Sequence, residues 1–239
     1  SERAKGKVVG ILARTSLEGS LAILSVLEAG LVGIPVNWRW SDREASLALD
    51  KNNADIILCD SASQPLATGV ASRLGRAVPL ISVEVKGNKV LLNLVNSTDD
   101  RPTRADGSGD SGNVPTGTEP SSWSWILDPN DRFPEDGSAF VEGDGRMLRY
   151  SSSSTAVILF TSGTTSFQPK GVRLTHLAFW AQAVAKISLL GYCSDDVHLH
   201  LAPLYHVSGL CALMTALNSQ AKRHVFLPSF SPEGFVKAV

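Results

Sequence analysis

The sequence predicts an α/β fold of layered sheets with flanking helices, and two observations lead there. Short apolar runs alternate with stretches of helical period. Glycine, proline and hydroxyl caps punctuate those stretches where helices should start and stop. Each element is taken in chain order below.

Residues 8–12 form an apolar run suited to a buried strand. Ser16 caps a helix in which Leu17, Leu21, Leu24 and Leu31 recur at helical spacing. Gly30 and Gly33 should end it, and Pro35 blocks continuation. Residues 34–38 then read as extended. Ser41, Asp42, Arg43 and Glu44 spell a capping box opening a second helix through Leu49. Residues 54–59 form another buried strand. From 97 to 136 the chain is rich in Ser, Gly, Pro and Asp and poor in aliphatic residues. Such a stretch buries too little apolar surface to offset its ordering entropy. A mostly disordered insertion over 97–152 is expected inside one partial domain spanning 1–239. Trp123, Trp125 and Ile126 are its exceptions, either docked on the body or a loose aromatic patch.

Order should return with a strand over 156–160. Thr175 caps a helix from His176 to about Leu190, closed by Gly191. Val197, Leu199 and Leu201 alternate with His198, His200 and Ala202, as in a half-buried strand. A short apolar helix follows over 210–217, then a strand over 225–227. Ser231, Pro232 and Glu233 signal a last helix start.

Composition narrows the function. The chain has 239 residues, 43% of them hydrophobic, which supports a globular core. Lys and Arg total 22 against 23 Asp and Glu. No basic excess exists to drive nucleic-acid binding. The most apolar stretch, 21–34, is too short to span a bilayer. No signal or transit peptide is visible at Ser1. Cys59, Cys193 and Cys211 have neither disulfide nor zinc spacing and read as buried or half-buried thiols. No metal site is expected from them.

The stretch with chemistry runs over 160–171: Phe-Thr-Ser-Gly-Thr-Thr-Ser-Phe-Gln-Pro-Lys-Gly. A strand enters a turn of small hydroxyl residues around one glycine. Small residues let backbone N–H groups approach an oxyanion, and hydroxyls add donors without bulk. Lys170 supplies a mobile positive charge. The set suits a triphosphate. It is not the P-loop pattern, in which Lys follows the second Gly, because here Lys170 precedes Gly171.

Residues 161–171 resemble the phosphate-binding signature of adenylate-forming enzymes: acyl-CoA synthetases, luciferases and peptide-synthetase adenylation domains. A second matching motif follows over 203–210, Pro-Leu-Tyr-His-Val-Ser-Gly-Leu. Upstream, Gly-Leu-Val-Gly-Ile-Pro-Val-Asn-Trp-Arg over 30–39 is similar to a third. Two departures stand out: Ser166 replaces the family's glycine, and one extra residue lies between Thr165 and Pro169. Within the family, residues 203–210 and the run from His176 to Val197 resemble the plant o-succinylbenzoate:CoA ligases, which serve phylloquinone synthesis in plastids and peroxisomes.

The resemblance implies a partial N-terminal domain of the adenylate-forming fold. The C-terminal part and lid domain, with the family's adenine and ribose contacts, Mg²⁺ ligand and catalytic Lys, would follow Val239. It implies a two-step reaction, in which a carboxylate attacks the α-phosphate of ATP to give acyl-AMP and pyrophosphate, and CoA then displaces AMP. ATP, Mg²⁺ and CoA are the expected cofactors and co-substrates, and a small-molecule carboxylate the partner. Thr161, Ser162, Gly163, Thr164, Thr165 and Lys170 are implied phosphate contacts. His206, with Ser208 and Gly209 leaving pocket volume, is the implied acyl-pocket group, and Lys170 and His206 are the catalytic candidates. His198 and His200 read as ordinary strand residues, Asp195 and Asp196 as a solvated turn, and Trp38 and Trp40 as packing. A coumarate-like or fatty-acyl ligase, and a non-enzymatic truncated product, are the alternatives.

Overall fold

The structure, a computed structural model, describes residues 7–87, 89–95, 153–161 and 170–238. The insertion, including Trp123, Trp125 and Ile126, lies outside the described residues.

The first block begins with β1 (Val8–Leu12) and α1 (Leu17–Glu28). Ser16 caps α1 as its sequence requires, its Oγ accepting from the Gly19 N–H at 3.1 Å. The buried face of α1 is Ala22, Ile23, Val26 and Leu27, whereas Leu17 is 45% exposed. The leucine stripe therefore runs along the helix flank, and a second apolar stripe meets the sheet. The helix also ends earlier than expected. Gly30 takes a left-handed conformation after it, while Gly33 enters β2 (Val32–Pro35). Gly33 is a strand residue and does not stop the helix; a Cβ on it would make ordinary van der Waals contact, 3.4–3.5 Å from Ile11, Val26 and Val157. α2 (Asp42–Lys51) opens with the capping box, in which Glu44 accepts from the Ser41 N–H at 2.8 Å. That backbone bond and the Ser41 hydroxyl hold the Glu44 carboxyl below its ordinary range. β3 (Ile56–Asp60) follows.

The sequence reading has no element between β3 and residue 96, but the structure has a 3₁₀ turn (Ser61–Ser63), α3 (Gln64–Arg73), β4 (Leu80–Lys86) and β5 (Lys89–Leu94). α3 buries only Ala67 and Val70, so its apolar signal is faint. Pro65 in its first turn was the available cue. The second block holds β6 (Thr155–Thr161), β7 (Lys170–Thr175), α4 (His176–Leu190), β8 (Val197–His200), α5 (Val207–Asn218), β9 (Arg223–Phe226) and α6 (Pro232–Ala238). α4 starts at the Thr175 cap and ends at left-handed Gly191, and Ser231 caps α6, all as expected.

A seven-stranded sheet runs in the order β5-β4-β3-β1-β2-β6-β7. Its interior pairs are parallel, and both edge strands are antiparallel. Parallel strands are covered on both faces, which explains their near-continuous apolar runs. Along β1, Val9 and Ile11 join one core with Ile23, Val26, Phe179, Leu210 and Leu213. Val8 and Leu12 face the other way, toward Ile34, Leu49, Ile57 and Leu80. This is the period-two alternation of a strand.

β8 and β9 form a separate two-stranded parallel sheet with α5 as its crossover. Here the expected facing is reversed: Val197 is 49% exposed and His200 only 2%. The inward imidazole of His200 stacks on Phe226, with 4.6 Å between ring centroids. Cys59 is buried, and burial pushes its thiol up to about 12. Cys193 is exposed, contrary to the expectation of three sheltered thiols.

Asp60 ties the ends of β1 and β3 together. One carboxylate oxygen accepts from the Arg14 N–H at 2.8 Å, the other from the Ser63 N–H at 2.7 Å. Asp60→Ala leaves two sheltered amides without acceptors and should cost about 3 kcal/mol in urea unfolding. Asp60→Asn, which keeps one acceptor oxygen, should cost less. Equal stability of the alanine variant and the parent would contradict this role.

Candidate active site

Where β2 leaves the sheet beside β6 and β7, a cleft of about 480 Å³ opens. β2 and the turn after it contribute Pro35, Asn37 and Trp40. The hairpin strands contribute Leu159, Phe160, Thr161, Val172 and Leu174. The third wall is Tyr205, His206 and Val207, from the chain entering α5. Thr161 and His206, 45 positions apart by number, thus face one cleft. The spacing alone could not show this.

The hairpin register places Thr161 opposite Lys170. Both side chains are exposed at the sheet edge, putting one hydroxyl and one ammonium at the same strand ends. Lys170 is not among the cleft-lining residues. Ser162, Gly163, Thr164 and Thr165, with Ser166, Phe167, Gln168 and Pro169, lie outside the described residues. Gly171 follows Lys170 directly beneath the aromatic wall. A Cβ there would lie 2.9 Å from Ile158 Cγ2 and 3.4 Å from the Phe160 ring.

His206 is the N-cap of α5. Its Nδ1 accepts from the Ser208 N–H at 3.3 Å and lies 2.9 Å from the Ser208 Oγ. With Nδ1 used as acceptor, the neutral ring carries its proton on Nε2, which leaves Nε2–H as the free donor. Its backbone N–H is held by the Pro203 carbonyl at 3.0 Å.

Ser208 and Gly209 do not line the cleft. Ser208 orients His206. Gly209 is buried, and a Cβ on it would collide with the carbonyl oxygens of Pro203 and Ala202. Its smallness serves close backbone approach, a role the sequence reading did not give it.

The sequence reading missed Asn37, Phe160 and Tyr205 as wall residues and took Trp40 for packing alone. Trp40 does both: it meets Phe160 edge-on at 5.7 Å and lines the cleft. The Asn37 side chain accepts from the Arg39 N–H at 3.0 Å, which shapes the turn. Beside it, the guanidinium groups of Arg14 and Arg39 lie over the Trp38 ring at 5.1 and 4.9 Å. Ion pairs recorded among the described residues include neither arginine. Neither arginine lines the cleft, and Arg14 faces a separate hollow with Asp60 and Glu84. Asp196 accepts from the Cys193 N–H at 2.9 Å, and Asp195 is exposed, so this pair is a solvated turn as expected.

A seven-stranded mixed sheet flanked by helices, with this cleft at its edge, has the fold of the N-terminal part of adenylate-forming enzymes. The chain belongs to the AMP-binding enzyme family, whose profile matches residues 3–239.

The chain is 51% identical over 81 residues to 2-succinylbenzoate–CoA ligase, chloroplastic/peroxisomal, of Arabidopsis thaliana. That stretch is 34% of this chain and 14% of the relative. Malonate–CoA ligase of the same plant is 25% identical over 230 residues, 96% of this chain and 31% of the relative. The chain thus spans less than a third of either relative.

Among solved structures, ATP-bound MatB from Rhodopseudomonas palustris superposes with a TM-score of 0.62 at 19% identity, over 97% of this chain and 37% of that one. O-succinylbenzoate coenzyme A synthetase (MenE) from Bacillus subtilis, in complex with ATP and magnesium ion, gives 0.61 at 18%, over 97% and 47%. These two likenesses are of fold.

Gly209→Ala should displace the first turn of α5 and cost about 1–3 kcal/mol. It should also change the chemical shifts of the His206 ring. An alanine variant with parental stability and an unmoved His206 would contradict the close-approach role.

Proposed function

We propose that this chain supplies the phosphate-holding edge and one acyl-pocket wall of an ATP-dependent, AMP-forming carboxylate–CoA ligase. The observation that carries the reading is the shared cleft: Thr161, paired across the hairpin with Lys170, and His206 lie on its walls or rim. Thr161 and Lys170 act on the β- and γ-phosphates of ATP, together with Ser162, Gly163, Thr164 and Thr165. The substrate carboxylate is already a nucleophile, so positioning and neutralisation of phosphate charge do the work. His206 donates from Nε2 to an oxygen of the acyl substrate, and Ser208 keeps that tautomer. Mg²⁺ would enter with the triphosphate. Among the described residues no group of three His, Cys, Asp or Glu could hold a metal ion, so none is assigned to it.

The acyl substrate in this reading is o-succinylbenzoate, the reaction belongs to phylloquinone synthesis, and the compartment is plastid or peroxisome. The support is the 51% identity to the plant 2-succinylbenzoate ligase over 81 residues. Among the described residues no helix is long and apolar enough to cross a membrane. A coumarate-like or fatty-acyl ligase is the alternative, and parallel assays with those acids would separate them.

The relatives are several times longer than the matched stretch, so we also propose that residues 1–239 alone do not turn over. Electrostatic stabilisation needs its opposing groups held in place. With ATP, Mg²⁺, CoA and o-succinylbenzoate, pyrophosphate release should stay at background, and robust turnover would overturn this. In a polypeptide extended with the remaining family domain, Lys170→Ala should lower adenylation by roughly one to two orders of magnitude. His206→Ala there should mainly raise KM for the acyl acid. Unchanged kinetics in both variants would remove the proposed roles.

A further inference from the structure

β8 and β9 carry three imidazoles in one cluster. The β8–β9 register sets His198 opposite His224 and His200 opposite Phe226. His200 Nε2 lies 3.0 Å from His224 Nδ1, and the two rings stack 5.2 Å apart. The His198 ring is 4.6 Å from that of His200. β8 leads straight into residues 201–206, which end at the cleft wall, and the His200 carbonyl accepts from the Leu227 N–H at 3.1 Å. The cluster therefore lies at the root of the segment that carries Tyr205 and His206.

A 3.0 Å contact between two imidazole nitrogens needs one N–H donor and one lone-pair acceptor. The second nitrogen of His200, Nδ1, is buried and has no partner among the described residues. A bare lone pair is tolerable there, whereas a buried N–H without an acceptor is costly. The favoured arrangement puts the proton on His200 Nε2 and the lone pair on His224 Nδ1. His224 is half-buried, so solvent protons reach it first. A proton added to His224 Nδ1 then meets the Nε2–H of His200. To accept, His200 must move its own proton to the orphaned Nδ1. The first outcome breaks the bond between the strands, and the second leaves a buried Nδ1–H of His200 without an acceptor.

We propose that His198, His200 and His224 form a proton-operated latch that holds β8 against β9, and with it residues 201–206, only while all three imidazoles are neutral. The groups facing the cluster do not offset this. Burial lowers the proton affinity of all three, taking His200 down to about 3. Toward His198, Asp196 raises it, but His224 and Lys186 oppose Asp196. Tyr192 meets His198 at 6.0 Å, and Phe226 covers His200. A freed histidine takes up its proton near pH 6.5, whereas the latched ones do so at lower pH. As pH falls below about 6.5, the open form binds more protons, so opening is favoured by up to tenfold per pH unit for each histidine. Above that value the latch is fully closed. The inference stands apart from the enzymatic reading.

The test is hydrogen–deuterium exchange on the whole chain at pH 7.5 and 5.5, corrected for intrinsic exchange. Protection across 197–206 and 223–227 should fall about tenfold or more at the lower pH, while β1 and β3 stay protected. Uniform loss over all strands, or no loss, would overturn the latch. His224→Gln keeps an oxygen to accept from His200 and removes one titrating ring. Its loss of protection between the two pH values should therefore be smaller than the parent's by up to that ring's tenfold share, and a loss as large as the parent's would overturn the role of His224. Should that variant not fold, a histidine NMR titration of the parent decides. His200 must stay neutral through pH 5.5 as the β8 and β9 amides lose protection. An ordinary midpoint near 6.5 for His200, with those amides still protected, would overturn the proposal.

Discussion

The seam between β2 and β6 decides the rest of the structure. Gly33 stands opposite Val157 there, and this parallel pairing joins the first block to the hairpin of β6 and β7. Ile11, Val26 and Val157 surround Gly33, at ordinary van der Waals distance from where a Cβ would stand. At the same seam Trp40 meets Phe160 edge-on. Without it, Asn37 and Trp40 would not face Thr161, and the cleft would lose one of its three walls. A parallel junction also requires a long crossover between its strands. Residues 36–154, which include α2, β3, α3, β4 and β5, lie between the two strands.

The cleft is assembled from strand ends and one helix start, which are the places where backbone groups fall free of their ladders. Its two candidate groups are held differently. Thr161 and Lys170 are set by sheet register, so their separation follows from hairpin pairing. His206 is set by α5: its ring accepts from the first turn it caps, and Gly209 lets that turn sit on the carbonyls of Ala202 and Pro203. Rigid elements thus place both groups, although both lie at the surface.

The comparisons divide along the same lines. Identity of 51% over 81 residues is local, whereas 25% over 230 residues follows the whole chain. The fold is retained at 19% identity and below because it rests on apolar alternation and glycine packing, which many sequences satisfy.

Local chemistry determined much by itself. The Ser16, Ser41, Thr175 and Ser231 caps, the Gly191 stop and the apolar strands over 8–12 and 156–160 were legible, because each rests on bonds or periodicity within a few residues. The phosphate role read from the hydroxyl-rich stretch before Lys170 remains a proposal, because residues 162–169 lie outside the described residues. Tertiary structure decided which face of each element is buried. α1 turns Ile23 and Val26 inward in place of its leucine stripe, and β8 buries His200 in place of Val197. Both faces of these elements carry apolar or neutral groups, so period alone leaves the choice to whatever packs against them. Likewise α3 has too little apolar surface to announce itself, and only the sheet it covers makes it a helix of the core. The cleft belongs to the same class. Asn37, Thr161 and His206 lie far apart along the chain, and only strand order and the α5 cap bring them to one opening.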